Sequence, residues 1–134
     1  MAKRFASTEI WDEDWFLELP IEYKLFWFYL LSACDHAGFF KVNIKTFSVL
    51  NNVEISSETA FELFNKGKKR LRKVNGSMWF IEEFFTFQNG HILNLNNNSH
   101  KSMKGLFDKH GVELGSVRGL KEVKDTPKRG LKEE

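Results

Sequence analysis

Six cations fall within residues 66–73: Lys66, Lys68, Lys69, Arg70, Arg72 and Lys73. Ammonium and guanidinium groups at that density suit phosphate, and six phosphate contacts would make log affinity fall with log salt at a slope of about −5. A solvated helix end has the same composition. The run follows Ser56-Ser57-Glu58-Thr59, which reads as a helix start. If that helix lay in a DNA groove, Ser57, Thr59, Asn65 and Lys66 would be its candidates for reading base edges. Glu58 and Glu62 on the same helix would repel phosphate. Asn75-Gly76-Ser77 follows the run and is small enough for a minor groove, so Asn75 joins the candidate contacts; a tight turn needs such residues regardless.

Other chemistries find little support. Histidines 36, 91, 100 and 110 lack metal-ligand spacing, and Cys34 is the single cysteine. Asn65-Lys66-Gly67-Lys68-Lys69 lacks the first glycine and the Ser/Thr of a phosphate-binding loop. Glu82 and Glu83, read as neighbours on a strand, point to opposite faces and cannot act as a pair. No cofactor, metal or enzymatic activity is expected. One cysteine suits a reducing cytoplasm. Met1-Ala2-Lys3-Arg4 is basic but no apolar stretch follows, so no secretory leader is expected. Leu25 to Leu31 is far too short to span a bilayer.

The elements that must position the cations can be read in order. Residues 1–36 carry three cations and seven anions, a net −4; residues 37–74 carry eight and three, a net +5. A basic middle beside an acidic N-terminus makes a polar molecule with one cationic face. Trp11, Trp15 and Leu19 recur every four residues, which predicts a short helical turn packing on the domain. Pro20 suits the first position of a helix over Ile21 to Cys34, apolar nearly all round and therefore central. Gly38 suits the left-handed turn after it. Phe39 to Val42 is a short strand. Asn43 caps a helix whose Ile44, Phe47 and Leu50 face the core, and Asn51-Asn52 closes it. Ser56 or Ser57 caps the next helix, with Ala60, Phe61, Leu63 and Phe64 inward. Leu71 to Val74 and Met78 to Phe87 are strands joined by an Asn-Gly turn, a strong hairpin signal. The second strand is apolar on both faces, Phe80 and Phe84 on one and Trp79, Ile81 and Phe85 on the other, so both must be covered or used in an interface. Met103, Leu106, Phe107 and His110 give a last helix that Gly111 stops. Residues 115–134 hold few apolar groups, many charges and Pro127, and read as a flexible tail.

Helix, strand, helix, helix, hairpin is the order of a winged helix-turn-helix. The expected class is mainly α with a small β-hairpin: a winged helix-turn-helix domain over 1–97, an extra C-terminal helix over 98–114, and a charged tail over 115–134. Trp15-Phe16-Leu17-Glu18-Leu19-Pro20, Lys24 to Tyr29, Asp35-His36-Ala37-Gly38-Phe39-Phe40-Lys41, and Trp79-Phe80-Ile81 through Phe87-Gln88 give roughly residues 4–110 a resemblance to the N-terminal winged-helix domain of phage replisome organisers and DnaD-like replication proteins. The resemblance implies a non-enzymatic cytoplasmic protein of replication initiation in a phage or mobile element. Its third helix and wing would bind double-stranded DNA. In such proteins a longer C-terminal region recruits a helicase or its loader, the protein partners implied here; self-association is a further expectation, and no membrane is involved. Two other readings stand beside it: a winged-helix adaptor in replisome assembly with little DNA affinity, and a transcriptional regulator. Whether the 66–73 cations stay exposed or are neutralised by the acidic N-terminus separates the adaptor from the DNA binder.

Overall fold

The side chains of Asn43, Ser56 and Asn97 each accept from a backbone N–H of the helix they precede. The computed structural model describes residues 3–125. A 3-10 turn at Ile10–Asp12 and one turn of helix, α1 (Asp14–Leu17), lead into α2 (Ile21–Ala33). Glu13 between them is extended, so Trp11, Trp15 and Leu19 do not form one helical stripe. The buried residues of this segment are Ile10, Phe16 and Leu19, while Trp11 is 57% exposed. Pro20 precedes α2 as its N-cap rather than opening it. Tyr23, Phe26, Trp27 and Leu30 bury one side of α2; Ile21 and Leu25 face solvent.

After α2 the chain turns on Asp35. Its Oδ1 accepts from the backbone N–H of Ala37, Gly38 and Phe39 at 2.9–3.1 Å. Gly38 has φ +102°, and a Cβ there would stand 2.9 Å from Phe84 Cβ, so both conformation and space call for glycine. β1 (Phe39–Lys41) follows, then α3 (Ile44–Asn51) and α4 (Ser57–Phe64). Asn43 Oδ1 accepts from Thr46 N, and Ser56 Oγ accepts from Thr59 N, so Ser56 and not Ser57 caps α4. Leu50, expected in the core, is 71% exposed: α3 buries Phe47 and ends at Asn52 with φ +54° before its last turn reaches the body.

β2 (Leu71–Val74) and β3 (Met78–Ile81) form an antiparallel hairpin through Asn75 and Gly76, both at positive φ as an Asn-Gly turn requires. β1 pairs with the other edge of β3, giving a three-stranded antiparallel sheet ordered β1-β3-β2. The second hairpin strand ends at Ile81, not Phe87. Glu82 turns the chain out of the sheet, and α5 (Phe84–Asn89) follows. The helix reverses the expected facing: Phe84 joins the cluster of Trp79 and Ile81, and Phe85 joins that of Phe80. β4 (Ile92–Asn94), α6 (Asn98–Lys109, capped by Asn97) and β5 (Glu122–Lys124) complete the described chain. β4 and β5 pair in parallel, with α6 in the long crossover that parallel strands need. Six helices, a three-stranded sheet and a two-stranded sheet make this a mixed α/β chain among the described residues, richer in strand than one small hairpin.

The core divides along β3. Trp79 and Ile81 lie with Phe26, Phe47, Phe64 and Leu71 beneath α2, α3 and α4. Phe80 lies with Phe39, Phe85, Phe107 and Val117 on the other face. The second cluster corrects the reading of a free tail from residue 115. Val117 is 3% exposed, Arg118 donates to Glu83, Thr86 donates to Arg118 O at 3.1 Å, and β5 pairs with β4. Residues 126–134, the rest of that expected tail, lie outside the described residues. Truncation after Leu114 should therefore lower the melting temperature by several degrees, since it removes a buried valine and a strand; differential scanning calorimetry of the two forms checks this.

Candidate nucleic-acid interface

Strand alternation decides what the cationic run can do. Successive residues on a strand point to opposite faces. Arg72 pairs opposite Phe80 and Lys73 opposite Trp79, so these two cations leave the sheet on different sides. Lys73 Nζ lies 4.8 Å from the Phe61 ring centroid and stays exposed at the α4 edge. Arg72 turns the other way. Its Nε and Nη2 donate to the two carboxylate oxygens of Glu82 at 2.9 and 2.8 Å, and Nη1 donates to Ser116 Oγ at 3.0 Å. Glu82 is 3% exposed. Its hydrogen bond to Glu82 raises the Arg72 pKa against the opposing effect of burial. Arg72 is thus half of a forked ion pair whose carboxylate is buried.

Arg70 is also taken. Its guanidinium carbon sits 3.9 Å from the Trp15 ring centroid, and Nη1 donates to the carbonyls of Phe64, Lys66 and Lys68 at 3.1–3.3 Å. Burial lowers its pKa from the usual arginine value. Asn65, expected to read bases, is structural: its Oδ1 accepts from Arg70 N and Leu71 N, both at 2.7 Å, closing the loop from α4 to β2. Asn75 at the hairpin tip donates to Lys109 O at 3.5 Å and lies 3.2 Å from His110 Nδ1, so α6 holds the tip.

The lysines have a different fate. Lys66 reaches Glu18 at 3.7 Å with its side chain 73% exposed, and Lys68 reaches Glu83 at 2.6 Å while half exposed. Exposed pairs of this kind contribute about 0–1 kcal/mol, little enough for a phosphate to compete. Lys69 is exposed, and its carbonyl accepts from Arg118. Lys66, Lys68 and Lys69 therefore lie on the loop 65–70, with Lys73 at the strand edge. At the start of α4, Thr59 is exposed and Ser57 half-buried. The Glu58 carboxylate already occupies that helix end. The backbone N–H of Glu58 first, then Ser56 and Ser57, holds its pKa below the usual value. The structure thus leaves the four lysines exposed and sets Arg70, Arg72 and Asn65 to internal contacts.

A groove of about 280 Å³ opens beside this loop, missed by sequence reading because its walls come from four distant segments. Phe5, Trp15, Trp27, Phe84 and Phe87 line it together with Lys68, Arg70, Glu13 and Glu83. Burial raises the Glu83 pKa, but hydrogen bonds from Lys68 and Arg118 outweigh it and hold the carboxyl below the ordinary range. Burial pushes the Cys34 thiol up to about 12, which keeps it protonated. Among the described residues no group of three His, Cys, Asp or Glu could hold a metal ion, and no helix is long and apolar enough to cross a membrane. No family model, curated protein or solved structure matches the chain.

Two outcomes follow. Arg72→Ala should destabilise the fold by about 3 kcal/mol or more, because it leaves Glu82 buried without its partner. Lys69→Ala should change stability by less than about 0.5 kcal/mol; urea unfolding midpoints separate the two. The Glu83 pKa is depressed in the folded state, so its contribution is present above the unfolded carboxylate value and is lost as pH falls through the folded one. Glu83→Gln should flatten that part of the acid-unfolding curve, and an unchanged acid limb would remove Glu83 from the loop's support.

Proposed function

We propose that the chain is a non-enzymatic DNA-binding protein of the phage or mobile-element replication-initiation type. In this reading α2, β1, α3, α4 and the β2-β3 hairpin are a winged helix-turn-helix. The order of those elements and the pairing of β1 with β3 support it. The observation that carries the DNA reading is the exposure of Lys66, Lys68, Lys69 and Lys73 along one loop and the adjoining strand edge. Ammonium groups there would contact the phosphates of duplex DNA. Glu58 at the start of α4 and the engaged Asn65 and Asn75 argue against base reading, so the binding is mainly electrostatic and tolerant of sequence.

One set of observations favours the adaptor reading. The acidic, aromatic N-terminal segment does reach the cations, through Trp15 on Arg70 and Glu18 on Lys66, and Trp11 stays 57% exposed as an anchor for a protein partner would. The test is a titration of duplex DNA at several salt concentrations. Four lysine contacts give a log–log slope of about −4, and Lys69→Ala with Lys73→Ala should reduce it by about 2 while weakening binding to all sequences alike. Unchanged affinity and slope would favour the adaptor.

A further inference from the structure

Helix α2 is apolar nearly all round, yet only one side of it is covered. Tyr23, Phe26, Trp27 and Leu30 are buried, while Ile21 is 80% exposed and Leu25 44% exposed. Ile21, Leu25 and Phe28 follow the i, i+4, i+7 spacing that sets side chains on one face of a helix. Phe28 is half-buried, and the exposed ring of Trp11 lies 6.3 Å from it between centroids, which extends the stripe onto the 3-10 turn. Trp11 is set in place by an edge contact with Phe16 at 5.1 Å. Exposed apolar side chains gathered in this way mark an interaction surface. From Ile21 to Phe28 the stripe runs about 10 Å, the length of about two turns of a partner helix.

The charges around the stripe decide what covers it. Residues 9–28 hold six anions, Glu9, Asp12, Glu13, Asp14, Glu18 and Glu22, and one cation, Lys24, a net −5. The Lys24 ammonium donates to the carbonyl of Leu19 at 2.7 Å. Glu22 stands three residues before Leu25 and so borders the stripe on α2. Asp12 follows Trp11 in the 3-10 turn and is exposed. Two of the six anions have partners: Glu18 meets Lys66 at 3.7 Å, and Glu13 accepts from Trp15 Nε1 at 2.8 Å. Nucleic acid and anionic lipid carry the wrong sign for such a surface. A two-fold contact with a second copy would set two net −5 surfaces against each other. A partner that carries cations beside apolar side chains meets both features.

We propose that this face docks a basic amphipathic helix of a protein partner. Apolar side chains on one side of that helix cover Trp11, Ile21 and Leu25, and its lysines or arginines meet Asp12 and Glu22. An exposed tryptophan is the kind of side chain that anchors an interface. Apolar contact supplies affinity, and the acidic rim supplies the choice of partner by repelling acidic helices. The inference goes beyond the DNA reading and does not depend on it. It names the partner chemistry that the adaptor reading leaves open.

The experiment titrates the full chain with a synthetic helix of about 18 residues, long enough to be helical, with leucines on one face and lysines on the other. Tryptophan fluorescence reports binding, since the peptide has no tryptophan and Trp11 leaves water. Two controls accompany it: the same pattern with glutamate for lysine, and a scrambled peptide of the same composition. The Leu/Lys helix should bind with a blue shift, and neither control should. Ile21→Gln with Leu25→Gln should weaken binding about tenfold or more with the melting temperature unchanged, because both side chains are exposed. Asp12→Asn with Glu22→Gln should weaken it about threefold and flatten its salt dependence. No binding, equal binding of either control, or full affinity in the Ile21→Gln, Leu25→Gln variant overturns the proposal. Self-association of the wild-type chain in light scattering that this variant abolishes also overturns it and assigns the face to a second copy. The duplex titration above reads the lysines, so the same variant should bind DNA as the wild type does; lost DNA binding instead places the face in the DNA site and overturns the proposal.

Discussion

Strand β3 must be covered on both faces, and most of the chain is arranged to do so. Met78–Ile81 is central in its sheet, with Trp79 and Ile81 pointing one way and Phe80 the other. Three helices and α1 cover the first face. They would leave Phe80 and its neighbour Phe39, paired across the ladder, in water. The chain after Ile81 meets that need. α6 brings Phe107 to 5.7 Å from Phe80 and 5.8 Å from Phe39, centroid to centroid, and Val117 closes the cluster. The exposed cost of two phenylalanines is on the order of 3–6 kcal/mol, comparable with much of a small domain's stability. The helix and strand beyond the hairpin are therefore part of the same folding unit in physical terms.

The same alternation divides the cations by chemistry. The two guanidiniums go inward, where a planar fork can meet a carboxylate or stack on an aromatic ring. Arg72 meets Glu82 with two parallel bonds, and Arg70 lies on Trp15. The ammonium groups stay in water, where a strongly hydrated point charge costs nothing to keep. A run that looks uniform in sequence thus contains two populations, one holding the loop and strand together and one available to a partner.

Local signals in the sequence were legible where the physics is local. The cap Asn43, a serine cap at 56 or 57 that proves to be Ser56, the left-handed Gly38 and the Asn75-Gly76 turn each follow from local conformational preferences, and each is found. The apolar strand covered on both faces was legible too. What failed was long-range. The strand was carried on through Phe84 and Phe85 because both periods fit a continuous aromatic run; only the turn at Glu82, fixed by Arg72 ten residues away, ends it. Leu50 matched a core spacing but sits beyond the packed part of α3. β5 has exposed residues at all three positions and no apolar pattern, so its pairing with β4 has no sequence signature. The groove escaped for the same reason, since Phe5 and Gln88 meet across 83 residues.

The hairpin tip sets the limit on any nucleic-acid reading. A wing that enters a minor groove needs a mobile, unburdened turn. Here Asn75 is tied to the end of α6, and the ring of His110, its partner, lies tilted against Phe39 at 4.4 Å between centroids. The turn therefore moves with α6 and with the second cluster beneath it. Freeing Asn75 for a base would sacrifice a contact that links hairpin and helix. Gly76 and Ser77 remain exposed, but neither carries a charge for a phosphate. The lysines of the 65–70 loop and the strand edge are left as the groups that can meet a polyanion without disturbing the body. Such contacts neutralise phosphates and carry no base information. On the proposed DNA reading, the fold's own internal bonds thus leave contacts that would follow charge and ionic strength rather than sequence.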